Sequence, residues 1–172
     1  MRQNYKQVKR KALIAEFEHL PDEARVWIYQ ADRPFTEDEL GRLRNGLEAF
    51  LTQWTAHGAD LKAGYLLPYN RFIVIGLDQS LNGASGCSID TSVRFIQQVE
   101  AEFGVTLLDR MNVTYRQGEF IAYKPLADFR KMARARSVSA ATIVFNNLVT
   151  NKYEFEHDWE VPAAESWHSR FF

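Results

Sequence analysis

The chain has 172 residues, 46% hydrophobic and 13% aromatic, with 21 basic and 22 acidic side chains and a net charge of −1, which excludes disorder and collagen-like repeats and leaves enough chain to bury a core without staples. A single cysteine excludes an internal disulfide framework and a cysteine-built metal centre, and it suits a reducing cytoplasm. No stretch reaches the ~20 apolar residues of a membrane span, no apolar segment follows the basic start as in a secretory signal, and balanced charge argues against strong nucleic-acid affinity of the chain as a whole.

Residues 1–20 read as a basic N-terminal arm: Arg2, Lys6, Lys9, Arg10 and Lys11 stand without an acid among them, leaving −6 on the other 161 residues. Residues 12–18 favour helix, and Leu20-Pro21-Asp22 breaks the chain before the first strand. The arm reads first as a solvated terminus and second as a tether for nucleic acid or an anionic membrane. Residues 21–172 read as a single α+β domain.

Arg25–Gln30, rich in β-branched and aromatic residues, is the first predicted strand. Thr36-Glu-Asp-Glu39 is a capping box, stapled by Phe35 and Leu40. Leu40, Leu43, Leu47, Phe50, Leu51 and Trp54 then recur at helical spacing, which predicts a helix to about His57-Gly58. Leu61–Leu67 and Arg71–Asp78 are two strands joined through Pro68. The unbroken apolar run Phe72–Ile75 predicts a central strand covered on both faces. The polar loop Gln79–Ser88 opens a helix striped by Ile89, Val93, Ile96 and Phe103 and closed by Gly104. Asn112–Arg116 and Glu119–Tyr123 flank Gln117-Gly118 as a hairpin, and Ala127–Ala135 is helical. Residues 137–172 are short pieces ending in an aromatic tail.

The element order predicts a ferredoxin-like, split β-α-β fold with an antiparallel or mixed sheet and two helices on one face. The C-terminal extension 137–172, with Trp159, Trp167, Phe171 and Phe172, is expected to pack on that core, over the second face of the sheet, or to meet a partner.

The segments Val26–Gln30, Tyr69–Phe72, Gly83–Asp90, Ile121–Leu126 and Glu165–Arg170 resemble an uncharacterised family of small bacterial proteins often mislabelled "ABC transporter ATPase". The resemblance covers residues 20–172 and implies no catalytic residue. The label fails on chemistry: an ABC-type ATPase needs a Gly-x-x-x-x-Gly-Lys-Ser/Thr phosphate loop and a magnesium-holding carboxylate, and none of the nine glycines heads such a loop.

In the split β-α-β arrangement the first strand and the strand 71–78 are expected to be parallel neighbours, so the loops 31–36 and 78–90 leave the sheet side by side, each into a helix N-terminus whose free N–H groups favour anions. This corner is the candidate ligand site, built from Asp32, Arg33, Asp78, Ser80, Asn82, Ser85, Gly86, Cys87 and Ser88. Gly83 and Gly86 permit close approach of a ligand, and Arg33 supplies a fork for carboxylate or phosphate. The plainer reading has Ser88 or Asp90 capping the helix and Asp32 and Asp78 fixing turns.

Cys87 is the candidate nucleophile, its thiolate favoured by the helix N-terminus and opposed by Asp78 and Asp90, with His157 or His168 of the tail as possible base. The stretch Glu154–Glu160 with His168 carries metal-ligating side chains but matches no metal motif; its alternation predicts an extended segment instead. Lys124, Arg130, Lys131, Arg134 and Arg136 form a second basic cluster, and Arg130 and Arg134 share a helix face.

Three functions follow. The first is a non-catalytic binding or adaptor module for an unknown small anionic ligand or a protein partner, which the sequence favours. The second is a small cysteine-dependent or redox enzyme using Cys87. The third is an RNA-associated protein using residues 2–11 and 124–136. No cofactor and no metal are implied.

Overall fold

A computed structural model describes residues 14–172, so the basic residues 2–11 lie outside the described residues. The chain divides into two compact units, Met1–Leu108 and Asp109–Phe172, a division not drawn from the sequence. Both are α+β with antiparallel sheets. Among the described residues, no helix is long and apolar enough to cross a membrane.

The first unit contains β1 (Arg25–Gln30), α1 (Glu37–Gln53), a small hairpin of β2 (Thr55–Ala56) and β3 (Ala59–Asp60), β4 (Lys62–Leu66), β5 (Phe72–Asp78) and α2 (Gly86–Phe103). β5 lies between β1 and β4 and is antiparallel to both. β1, α1 and the β4–β5 hairpin thus form a split β-α-β unit. The hairpin over 112–125 belongs to a different sheet, so among the described residues the four-stranded ferredoxin-like sheet does not form.

One face of β5 is covered by the helices. Ile73, Ile75 and Leu77 join Leu40, Leu43, Leu47 and Leu51 of α1 and Ile96, Val99 and Phe103 of α2 in a single cluster. The capping box starts α1 as predicted, with Thr36 Oγ1 accepting from Glu39 N and the Glu39 carboxylate accepting from Thr36 N. The helix ends at Gln53, four residues before its predicted end. Trp54 turns inward, buried, and its Nε1 donates to the Ser88 carbonyl at 2.8 Å. His57 and Gly58 instead form the β2–β3 turn at φ 52° and 77°.

The other face of β5 carries Phe72, Val74 and Gly76, all buried. Gly76 faces Gly64 of β4 in register, and two bare glycines side by side leave a trough. Residues 14–20 lie in it. Ala15 N donates to the Ala63 carbonyl at 3.0 Å, and a Cβ at Gly76 would meet Leu20 and the Phe17 ring at 2.7 and 2.8 Å. Phe17 and Leu20 are buried. This end of the predicted arm is therefore core, and within the described residues its predicted helix is one 3-10 turn, Phe17–His19.

The second unit contains β6 (Asn112–Gln117), β7 (Phe120–Pro125), α3 (Leu126–Arg134), β8 (Ile143–Phe145), α4 (Lys152–Asp158) and β9 (Glu160–Pro162), followed by 3-10 turns at Ala163–Glu165 and Trp167–Phe171. Its sheet order is β7-β6-β8-β9. The hairpin turn is Gly118-Glu119, one residue later than expected, with Gly118 at φ 63°. The predicted extended stretch 154–160 is helical as far as Asp158, because Asn151 caps α4 by accepting from Glu154 N, and becomes extended only at Glu160, where β9 begins. Val113, Tyr115, Phe129, Ala133, Val138, Val144 and Ala163 form the core, and Trp167 and Phe171 of the tail pack on it.

Candidate functional site

The loop 31–36 is fully used by the fold. Arg33 donates to both oxygens of Glu39 at 2.8 and 2.9 Å and to the Phe103 carbonyl at 2.6 Å. This fork, with help from the Thr36 N–H, holds the Glu39 carboxyl down at about 2. Asp32 accepts from Thr106 N at 2.9 Å. Both residues thus fasten the exit of α2. Arg33→Ala is expected to cost about 1 kcal/mol, as for a half-exposed bidentate pair, and to return Glu39 toward the ordinary carboxylate range. Carbon-13 titration of the Glu39 carboxyl checks this; a midpoint still near 2 contradicts it.

The loop 78–90 is also self-satisfied. Asp78 accepts from Ser80 N at 2.9 Å and Ser80 Oγ at 2.6 Å, and these bonds, with Lys62 Nζ at 3.7 Å, hold its carboxyl below the usual range. Asn82 Nδ2 donates to the Asp60 carbonyl. Ser85, rather than Ser88 or Asp90, is the N-cap of α2, and it exchanges bonds with Ser88: Oγ of each accepts from N of the other. Gly86 is the first residue of the helix, and Cys87, the second, is a free and exposed thiol.

The two loops do not form one corner. β1 and β5 pair with Gln30 opposite Phe72 and Arg25 opposite Leu77, so the chain leaves β1 where β5 begins. The strand 71–78 is antiparallel to the first strand, not parallel, because β5 is the inserted middle strand. Arg33 holds the C-terminal residue of α2 while Ser85 caps its N-terminus, and an 18-residue helix is about 27 Å long. Arg33 and Cys87 therefore belong to opposite ends of the first unit.

The candidate bases for Cys87 have other partners in the second unit. His157 Nδ1 lies 2.7 Å from the Tyr153 carbonyl. His168 is 1% exposed, stacks on Trp167 at 3.9 Å, and has Nδ1 2.7 Å from Ser166 Oγ. Among the described residues no three His, Cys, Asp or Glu side chains gather as a metal group.

What the second unit does assemble is a basic face. α3 buries Phe129 and Ala133. At 100° per residue, Arg130, Arg134 and Lys131 then occupy one ~100° arc of its outer side, and Asp128 falls beyond that arc. The last 3-10 turn packs beside α3 and extends the face: the Arg130 guanidinium lies over the Phe171 ring at 6.0 Å and Arg170 over Trp167 at 5.6 Å. Trp167 and Phe171 meet edge-on at 5.8 Å, and Phe171 and Phe172 both pack edge-on against Phe129.

Lys124, Arg130, Lys131, Arg134, Arg136 and Arg170 are exposed. Among the described residues, ion pairs form at Arg33, Arg42, Lys62, Arg116 and Lys152, and none includes these six cations. The helical part of this face was readable from the spacing of Arg130 and Arg134. Arg170 and the aromatic pair were not, because no sequence period links residue 170 to α3. A scan against family models, a search of curated proteins and a search of solved structures each give no match.

Proposed function

We propose that the chain is a small cytoplasmic, non-catalytic binding module that takes a phosphate-rich polyanion on the α3 face of its second unit. The observation that carries this reading is the run of exposed cations without carboxylate partners, Arg130, Lys131, Arg134, Arg136 and Arg170, on one helix and the turn beside it. Cations without internal counter-charges keep their field available to a ligand, and guanidinium forks suit phosphate oxygens. The free thiol of Cys87 fits a reducing compartment. The anion-binding role first assigned to the loops 31–36 and 78–90 moves to this face, since Arg33, Asp78, Ser85 and Ser88 are committed to internal bonds.

Arg130→Glu together with Arg134→Glu tests the reading. Both side chains are exposed, so the double variant is expected to keep the thermal midpoint of the wild type while its affinity for inorganic polyphosphate falls at least ~10-fold at low salt. Equal affinity of the two proteins, or no binding by the wild type, removes the face from consideration.

A further inference from the structure

Resting on the polyanion reading, we infer that the ligand of the α3 face is a single-stranded nucleic acid, its phosphates on Arg130, Arg134 and Arg170 and its bases against the aromatic edge formed by Trp167 and Phe172. A lone phosphate needs one cation or two; this face offers a row. Arg130 and Arg134 stand about 6 Å apart along the helix axis, and Arg170 continues the row on the neighbouring turn, tied to it through the Trp167–Phe171 pair.

The aromatic rings separate a single strand from other polyanions. Trp167 is half-buried, stacked on His168 with Arg170 over it, so its rim faces the row, and Phe172, 45% exposed and packed edge-on against Phe129, offers the more open ring. Charged grooves bordered by aromatic rings are how proteins hold single strands, since every base has a face to stack whatever the sequence. A duplex keeps its bases stacked inside and would use only the cations. A lipid surface would need apolar side chains standing clear of the fold, able to enter the headgroup region by about 5–10 Å. Trp167 and Phe171 are instead packed against the core cluster, and Phe172 lies edge-on against the buried Phe129. Asp128, beyond the arc, and Glu165, in the turn before Trp167, mark where the phosphate path must end.

The test uses the full chain with four probes: a short oligouridylate, an RNA duplex of similar length, inorganic polyphosphate, and vesicles of phosphatidylserine and phosphatidylcholine. The expected result is that the single strand binds at least ~10-fold more tightly than the duplex or polyphosphate. Phe172→Ala, which gives up one edge-on contact with Phe129 and so lowers the thermal midpoint slightly without unfolding the protein at the assay temperature, is expected to remove about tenfold of that affinity while leaving polyphosphate binding unchanged. Quenching of tryptophan fluorescence on binding, present in the wild type and lost in Trp167→Phe, is the second measurement. Equal binding of oligouridylate and polyphosphate with no effect of Phe172→Ala overturns the inference and leaves the polyanion reading standing. Preference for the duplex, or binding to vesicles alone, overturns it as well. Failure of all four probes overturns both.

Discussion

Gly64→Val is expected to destabilise the first unit by about 3 kcal/mol, an overpacking cost at the upper end of its usual range. A Cβ at Gly64 would stand 2.5 Å from the Ala15 carbonyl oxygen and 3.1 Å from Phe17 N. Both are backbone atoms, held by the bond from Ala15 N to Ala63, so no rotamer change relieves the contact. The segment must lift, and Phe17 and Leu20, now buried, lose their cover. Gly76→Ala is the milder neighbour, because the atoms it meets are the ends of the Leu20 and Phe17 side chains. Gly86→Val is the control: nothing lies within 4 Å of a Cβ there, so only the intrinsic helix preference changes. Urea unfolding of the three variants reads the order directly, and a Gly64→Val midpoint equal to that of Gly86→Val would contradict the packing of residues 14–20.

Lowering the pH from 6.5 to 4 is expected to weaken the second unit by up to about 3 kcal/mol through one residue, His168. Burial, with a smaller push from Arg170, lowers its imidazole from 6.5 to about 4. Between those values the unfolded chain binds a proton that the native chain refuses. Stability is therefore full above the unfolded value, falls as the pH drops through the window, and levels off near 4. Glu154 in the same unit has its carboxyl held low by the Thr150 N–H, so its own contribution is lost at the acid end of the window and below. The upper part of the window, from 6.5 to about 5, isolates the histidine. His168→Leu should flatten the dependence there while losing the bond to Ser166. Unfolding midpoints of the second unit that stay constant from pH 6.5 to 5 would mean that the ring takes up its proton without leaving the core.

Much of the first unit was legible because its signals are local. The Thr36–Glu39 box, the staple of Phe35 and Leu40, the helical stripes and the left-handed stop at Gly104 each depend on neighbours within four residues. Even the doubly covered Phe72–Ile75 could be read from its lack of alternation. The direction of β5 relative to β1 is a different kind of fact. It follows from which strand is inserted between the two strands flanking α1, and no period in the sequence encodes that. Taking the two strands as parallel placed Arg33 beside Ser85, whereas their pairing puts those residues at opposite ends of α2.

Composition also hid which polar groups were spoken for. Asp32, Arg33, Asp78, Ser85 and Ser88 look like a binding set in the sequence because helix N-termini and their ligands draw on the same side chains. In the fold they satisfy backbone groups and one another. The cations of α3 look ordinary in a chain of balanced charge. They become distinctive only when the fold shows that, among the described residues, none of them enters an ion pair, and when Arg170 arrives beside them from the tail.

The slope of log Kd against log salt concentration for the full chain and a short oligouridylate tests the α3 face most directly. Three or four cations on the phosphate path predict a slope of about +2 to +3 for the wild type, since Kd rises with salt, and removing two of them in Arg130→Glu/Arg134→Glu takes about 1.4 off it. A slope near zero, or one that the double variant leaves unchanged, would show that these cations are solvated side chains and that the binding surface lies elsewhere.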